Sequence, residues 1–141
     1  MRFRILAQLM STLLVLCVPI VFAQRAGGYG KYTHIYDPKT EVTVKGTVEE
    51  VMQYPRKRNS TGTHLMLKAS DGILDVHVGP SWFLSQQKIE FAKGNEIEVT
   101  GSKVKVDGKD ALIAREIKKD GNVITLRNAQ GVPEWAGNRS R

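Results

Sequence analysis

The segment 72–99 constrains the fold of this chain more than any other. Alternating apolar residues lead up to Val78–Gly79, a pattern typical of a strand in a β-hairpin. Pro80 then opens a run of about two helical turns, because proline is favoured at the start of a helix. Alternation resumes at Glu96. The pattern predicts one short helix between two groups of strands.

Alternation elsewhere supplies the other strands of an all-β domain. Val42–Val48 alternates with polar residues, and Glu49–Glu50 interrupts the pattern, which favours a bulge in a long first strand. Ala111–Ile117 is the expected fifth strand and Val123–Leu126 a short sixth. Three strands, a helix and two more strands follow the order of a five-stranded OB-fold (oligonucleotide/oligosaccharide-binding) Greek-key barrel. We therefore predict this barrel, with one short helix between strands 3 and 4 and a short extra C-terminal strand.

The dipeptide Asp71–Gly72 is a strong signal for a tight turn between strands 2 and 3. A turn centred there places Met66 opposite His77 and Lys68 opposite Asp75. The outward positions of the two strands are then His64, Met66, Lys68, Ile73, Asp75 and His77.

The first 23 residues are typical of a secretory signal peptide. Arg2 and Arg4 give a positive start, an apolar stretch runs from Ile5 to Val18, and Ala23 precedes the expected cleavage point. A membrane anchor is the alternative, but the apolar run is short for a span of about 20 residues. Cleavage removes Cys17, so the mature chain has no cysteine for a disulfide or thiolate site. The predicted location is the bacterial periplasm or the secreted fraction.

Composition divides the rest of the chain. A stretch rich in Gly and Tyr follows the signal peptide and lacks apolar periodicity, which is typical of a flexible segment. The predicted parts are residues 1–23 (signal peptide), 24–39 (flexible leader), 40–127 (OB-fold domain) and 128–141 (C-terminal tail).

The chain of 141 residues has 21 Lys and Arg against 14 Asp and Glu, a formal net charge of +7. Such a charge favours anionic polymers, although a solvated basic surface that only aids solubility is the alternative. Basic residues fall in the polar loop expected from Pro55 to Gly62 and around the turn between strands 4 and 5, and these loops border the binding face of OB folds. No Phe, Tyr or Trp is expected on that face, where base-stacking proteins use them. The predicted ligand-binding residues are Tyr54, Arg56, Lys57, Arg58, Lys68, Lys105 and Lys109.

A second candidate site consists of His64, Met66 and His77 on the outer face of strands 2 and 3. Imidazole and thioether ligands suit copper and, less well, zinc. No acidic or cysteine ligand is expected to complete the site, and two ordinary surface histidines are the alternative. His34, in the leader, is a remote third nitrogen.

The aromatic residues after strand 3 have two interpretations. Trp82 and Phe83 are expected to plug one end of the barrel, since a small barrel needs core side chains there. The alternative is an aromatic platform for a ligand. Trp135, in the tail, is expected to pack back on the barrel as a latch.

Four runs of sequence resemble small exported bacterial OB-fold proteins, which are commonly described as uncharacterised or nucleic-acid-binding. The runs are Val44–Val48, Val76–Phe83, Glu98–Ser102 and Ala114–Ile117, and the resemblance covers roughly residues 40–136. It implies the fold and carries no catalytic signature. Periplasmic copper chaperones, another OB family, use a Trp-Pro-x-Met-x-Met run that this chain lacks, so their copper ligands do not carry over.

The sequence has no recognisable nucleophile–base motif, acid–base carboxylate pair or phosphate loop, so we expect a protein that is not an enzyme and has no cofactor. The leading hypothesis is a non-catalytic periplasmic module that binds an anionic polymer (glycan or nucleic acid) or a protein partner, with no stable membrane anchor after cleavage. Copper or zinc handling through His64, Met66 and His77 is one alternative, and oligonucleotide binding is another.

Overall fold

The structure is a computed structural model that describes residues 36–57 and 60–137. Its strands are β1 (Glu41–Arg56), β2 (Ser60–Ala69), β3 (Gly72–Pro80), β4 (Glu96–Val106), β5 (Lys109–Lys119) and β6 (Asn122–Thr125), with a single α-helix, α1 (Ser81–Gln86), in these ranges. The predicted signal peptide, Cys17, His34, Arg58 and most of the leader lie outside the described residues. Within the described ranges, no helix is long and apolar enough to cross a membrane.

The six strands form one sheet in the order β3-β2-β1-β4-β5-β6. The sheet closes because β3 also pairs in parallel with β5, with Val76 opposite Leu112. A barrel of five strands results, with α1 between β3 and β4 and β6 added beside β5, which confirms the predicted OB fold. The inward side chains fill the barrel as a continuous core, led by Leu65, Leu67, Val76, Val99, Leu112 and Ile117.

The first strand is long and bent, as its sequence predicts. Its pairing with β2 shifts register between Val48 and Glu50, which is the expected bulge. Val48 itself is buried, whereas Glu50 is exposed. A Cβ atom at Gly46 would collide with the backbone carbonyl of Lys68, so glycine is needed for this close approach of β1 to β2.

The turn between β2 and β3 differs from the prediction. Ser70 and Asp71 occupy it, and Gly72 already pairs with Ala69 as the first residue of β3, at a φ of +122°. Glycine is favoured at that position because other residues rarely adopt a positive φ. The predicted register of β2 against β3 is therefore wrong by two residues.

The corrected register changes which outward residues face each other. Met66 lies opposite Asp75 rather than His77, and Lys68 lies opposite Ile73 rather than Asp75. A shift of two residues keeps every side chain on its expected face, because strand side chains alternate with period 2. A further irregularity between Thr63 and His64 precedes the direct pairing of His64 with His77.

The end of the barrel near α1 is closed by aromatic residues. Phe83 and Leu84 are buried, whereas Trp82 is only partly buried and packs at the edge of the core. Trp135 packs back on the barrel as expected, with its ring centroid 5.2 Å from that of Phe83. The Arg127 guanidinium lies 4.8 Å from the centroid of the Trp135 ring.

Arg127 is the buried cation of this barrel end. It is 8% exposed and donates hydrogen bonds to the backbone carbonyls of Val78 and Ala114. Burial lowers the pKa of Arg127 to about 10, because the charged form is poorly solvated there. In the described part of the chain, no carboxylate lies within 4.0 Å of it, so carbonyl oxygens and the Trp135 ring stabilise its charge.

The last residues of the predicted leader also contact the barrel. The Tyr36 hydroxyl donates to a carboxylate oxygen of Glu41 at 2.6 Å, and Arg115 binds both oxygens of the same carboxylate at 2.8 and 2.9 Å. Tyr36 also packs against Gly131 of the predicted tail. Both described ends of the chain are thus held against the barrel.

Candidate metal-binding site

The outer face of β2 and β3 brings three potential metal ligands together. The strands alternate, so Leu65, Leu67 and Val76 point into the core while His64, Asp75 and His77 point outward. Direct pairing places His64 beside His77, and Asp75 lies one outward position earlier in β3. The three side chains are therefore neighbours because of the strand register.

Asp75 connects the two imidazoles. One of its carboxylate oxygens lies 3.0 Å from Nδ1 of His64, and the other lies 3.2 Å from Nε2 of His77. One candidate donor atom from each residue lies within 4.8 Å of the others. The side chains of His64 and His77 are 17% and 8% exposed, and that of Asp75 is 33% exposed. The cluster, which we call the HDH cluster (His64, Asp75 and His77), is thus reached from solvent on the side of the carboxylate.

Two opposing effects set the charge of the cluster. Burial acts to raise the pKa of Asp75, but the hydrogen bonds from His64 and His77 and their electrostatic attraction outweigh it and hold that pKa well below its usual range. An ionised carboxylate only accepts hydrogen bonds, so the facing ring nitrogens carry the protons. Without a metal ion, the cluster is a carboxylate held between two N–H donors.

A row of rings supports the imidazoles. The ring centroid of Tyr54, on β1, lies 4.5 Å from that of His64, and the His64 centroid lies 3.9 Å from that of His77. The Tyr54 hydroxyl donates to the sulfur of Met52 at 3.4 Å. Tyr54 is 41% exposed, so it covers one side of His64 while its outer surface contacts solvent.

The structure brings two of the three candidate metal ligands together. His64 and His77 meet as expected, and Met66 lies on the same face, opposite Asp75. The expectation that no acidic ligand would join them is wrong, because Asp75 lies between the two imidazoles. The sequence already predicted an outward position for Asp75 on strand 3. The misplaced turn put Asp75 opposite Lys68, as a partner in an ion pair, and so separated it from the histidines.

The predicted basic ligand-binding residues do not form one surface. Arg56 and Lys57 lie where β1 ends, beside the first residue of β2, whereas Lys68 lies eight residues further along β2. That spacing is about 25 Å along an extended strand. Lys105 and Lys109, at the ends of β4 and β5, belong to the end of the barrel where Lys68 lies, since β5 runs parallel to β3.

Acidic neighbours compensate part of this charge. Lys68 lies 3.8 Å from a carboxylate oxygen of Glu49, and Lys105 lies 2.7 Å from one of Asp110. The hydrogen bond from Lys105 lowers the pKa of Asp110. The loop between β1 and β2 is also shorter than predicted, since most of the expected Pro55–Gly62 loop belongs to the two strands.

The excess positive charge of the chain does not lie on the described barrel. All 14 Asp and Glu, but only 14 of the 21 Lys and Arg, fall in the described residues, which gives that part a formal net charge of zero. The basic residues outside it are Arg2, Arg4, Arg25, Lys31, Arg58, Arg139 and Arg141. The charge that suggested a polyanion-binding barrel is therefore carried elsewhere in the sequence.

The chain was compared with solved structures and with curated proteins. The barrel is similar to the dimeric N-terminal domain of the PriB protein from Thermoanaerobacter tencongensis, with a TM-score of 0.45 and 12% identity over 57% of this chain and 96% of that domain. No curated protein matches the chain.

A protein-family model was also compared with the sequence. The MamS/MamX magnetosome protein family model matches residues 40–124, from the start of the barrel into β6. The resemblance to exported OB-fold proteins predicted the fold but not this family. Because the match covers more than half of the sequence, the chain belongs to the MamS/MamX magnetosome protein family.

Proposed function

We propose that this chain is a non-catalytic OB-fold module that binds a divalent transition-metal ion through the HDH cluster. The observation that carries the proposal is the convergence of two imidazole nitrogens and a carboxylate, each within 4.8 Å of the others. The cluster lies on the β2–β3 face, which OB folds commonly use for ligands. Movement of a few tenths of an ångström to about 1 Å would bring the three donors to bonding distances of about 2.0–2.2 Å around one ion.

The donor set indicates the class of metal. Imidazole nitrogens favour zinc, copper, iron and nickel, and the added carboxylate makes the set harder than the histidine–methionine set predicted from sequence. Two histidines and one carboxylate with open positions are the ligands that non-haem Fe²⁺ sites also use. We therefore expect Zn²⁺, Co²⁺ and Fe²⁺ to bind, with Ca²⁺ and Mg²⁺ excluded because they prefer all-oxygen sites.

Binding of an anionic polymer, an oligonucleotide or a protein partner stays a prediction from the sequence. The neutral charge of the described barrel gives it no added support, and an ionised Asp75 in the middle of the face would repel a phosphate backbone. The metal hypothesis depends on neither the net charge nor the residues outside the described ranges.

The proposal extends to location. The family name associates its members with the magnetosome, and the first 23 residues are typical of an export signal. We therefore propose that the protein acts at the magnetosome with its barrel outside the cytoplasm, where a metal-binding face would meet ions taken up from the environment.

The experiment is a calorimetric titration of the purified protein with Zn²⁺ and Co²⁺, and with Fe²⁺ under anaerobic conditions. We expect one ion per chain, and d–d absorption bands for bound Co²⁺. Asp75→Asn keeps the shape of the side chain but removes an anionic ligand, and it should weaken binding at least about tenfold, the lower range for disturbed metal sites.

The matched control is Asp71→Asn. Asp71 is an exposed carboxylate in the adjacent turn and is not part of the cluster, so its replacement should leave the affinity unchanged. His77→Gln provides a second test, with circular dichroism to confirm folding because His77 is buried. Absence of stoichiometric binding, or equal affinities for the wild type and Asp75→Asn, would refute the proposal.

A further inference from the structure

We infer that the metal ion held by the HDH cluster is exchangeable cargo, passed to an acceptor through coordination positions that the protein leaves open. This inference rests on the proposed function and concerns what happens after an ion binds. The inference has three bases. The donors lie on one side of the ion, they are only three in number, and without an ion their hydrogen-bonding groups are paired with one another.

All three donors come from the same side of the ion. They lie on β2 and β3, neighbouring strands of one sheet face, and the side chain of Asp75 is 33% exposed. The side chains of His64 and His77 are only 17% and 8% exposed, so the open side of the ion is the side of the carboxylate. An acceptor can therefore reach the ion from the solvent side without opening the barrel.

The cluster also supplies too few donors to enclose an ion. Structural zinc sites are usually closed by four protein ligands, whereas sites that keep an open position use three. Among the described residues, no further His, Cys, Asp or Glu joins the three in a ligand group. The remaining positions of a bound ion would be filled by water or by a donor from another molecule.

The fold does not depend on the ion. Both imidazoles donate to Asp75, and within the described ranges no buried side-chain nitrogen or oxygen lacks a hydrogen-bond partner. Zinc fingers differ, because their folding free energy comes largely from the metal. When an acceptor removes the ion, the two hydrogen bonds of the cluster re-form, and the barrel core beneath remains unchanged.

These properties predict the kinetics of release. An acceptor that binds the open positions first forms a ternary complex with the ion and the protein, so the release rate should rise with acceptor concentration. In a closed site the ion must dissociate before capture, and the rate would not depend on the acceptor. The two mechanisms are distinguished by one concentration series.

The experiment loads the protein with one equivalent of Co²⁺ or Zn²⁺ and mixes it rapidly with the chromogenic chelator 4-(2-pyridylazo)resorcinol. We expect the observed rate to increase in proportion to chelator over at least a tenfold range of excess. Release that is independent of chelator concentration would overturn the inference.

Met66 offers a matched pair of variants. It faces outward opposite Asp75, so Met66→His places a third imidazole, and hence a fourth ligand, where cross-strand side chains are about 5 Å apart. This variant should bind more tightly and release the ion at least tenfold more slowly, with weaker dependence on chelator. Met66→Leu should behave as the wild type.

The outcomes separate the two proposals. If no ion binds, the proposed function fails before release can be measured. If an ion binds but its release rate does not depend on chelator concentration, the site exists and holds a resident ion. In that case only the further inference is refuted.

Discussion

The Trp135 side chain packs the segment after β6 against the barrel core, and its removal should destabilise the protein strongly. The indole lies on the backbone of Gly79, where an added Cβ would come within 2.7 Å of the ring. It also contacts the Phe83 ring and covers the guanidinium of Arg127. Trp135→Ala removes these three contacts together.

The magnitude follows from the surface involved. A tryptophan side chain buries about 150–250 Å² when enclosed, and a partly buried one loses about 100 Å² of contact on truncation, or about 2.5 kcal/mol at ~25 cal/mol per Å². The aromatic pair and the cation–π contact each add about 0.5–1 kcal/mol. Exposure of Arg127 to water offsets part of this loss, because its charge is then better solvated. We expect a net loss of about 3 kcal/mol in the free energy of unfolding.

The assay is urea unfolding followed by circular dichroism, which avoids the fluorescence change caused by losing one of the two tryptophans. Trp135→Phe is the control, because its smaller ring still covers Gly79. It should lose less than half of the unfolding free energy that Trp135→Ala loses. A loss below about 1 kcal/mol for Trp135→Ala would show that the segment after β6 only lies against the barrel and does not hold it.

Three further predictions concern other parts of the molecule. Burial and the hydrogen bond to Glu41 raise the pKa of Tyr36 from 10.0 to about 12, so this residue stabilises the fold below pH 10 and loses that contribution as the pH rises to 12. The unfolding free energy of the wild type should therefore fall more than that of Tyr36→Phe between pH 10 and pH 12. Parallel curves of unfolding free energy against pH would contradict the argument. Replacement of Arg56, Lys57 and Arg58 by alanine should weaken the binding of an anionic glycan or oligonucleotide and make its affinity depend less on salt concentration. Metal affinity and melting temperature should stay nearly unchanged. If the affinity of the wild type and of the variant depends equally on salt, the loop is only a solvated surface. Mass spectrometry of protein recovered from the periplasm should show loss of the first 23 residues, and intact chains in the inner membrane would disprove cleavage.

The order of strands could be predicted because each strand carries its own local signal. Alternation in Val42–Val48 and the interruption at Glu49–Glu50 predicted a long first strand with a bulge, and both are confirmed. The position of Trp135 was also anticipated. These features depend on side-chain period and residue type, which a single sequence displays directly.

The candidate site was harder to predict because it depends on register. Choosing Asp71–Gly72 instead of Ser70–Asp71 as the turn moves every cross-strand partner by two residues, and this small error hid Asp75 from the histidines. Arg127 had no local signal, since the carbonyl groups that accept its hydrogen bonds belong to Val78 and Ala114 on other strands. The total charge of +7 suggested a basic barrel, but composition does not say where along the chain the charges lie.

The closure of the barrel and the HDH cluster differ greatly in how far apart along the chain their partners lie. Asp75 is eleven residues from His64 and two from His77, so the cluster forms within one hairpin. Closure instead pairs Asp75 with Ala111, across a long intervening segment that must first be ordered. Short loops close quickly and at low entropic cost, whereas distant pairings slow folding. An ion present while the chain folds would therefore select the native alignment of β2 with β3 early, before β5 completes the barrel.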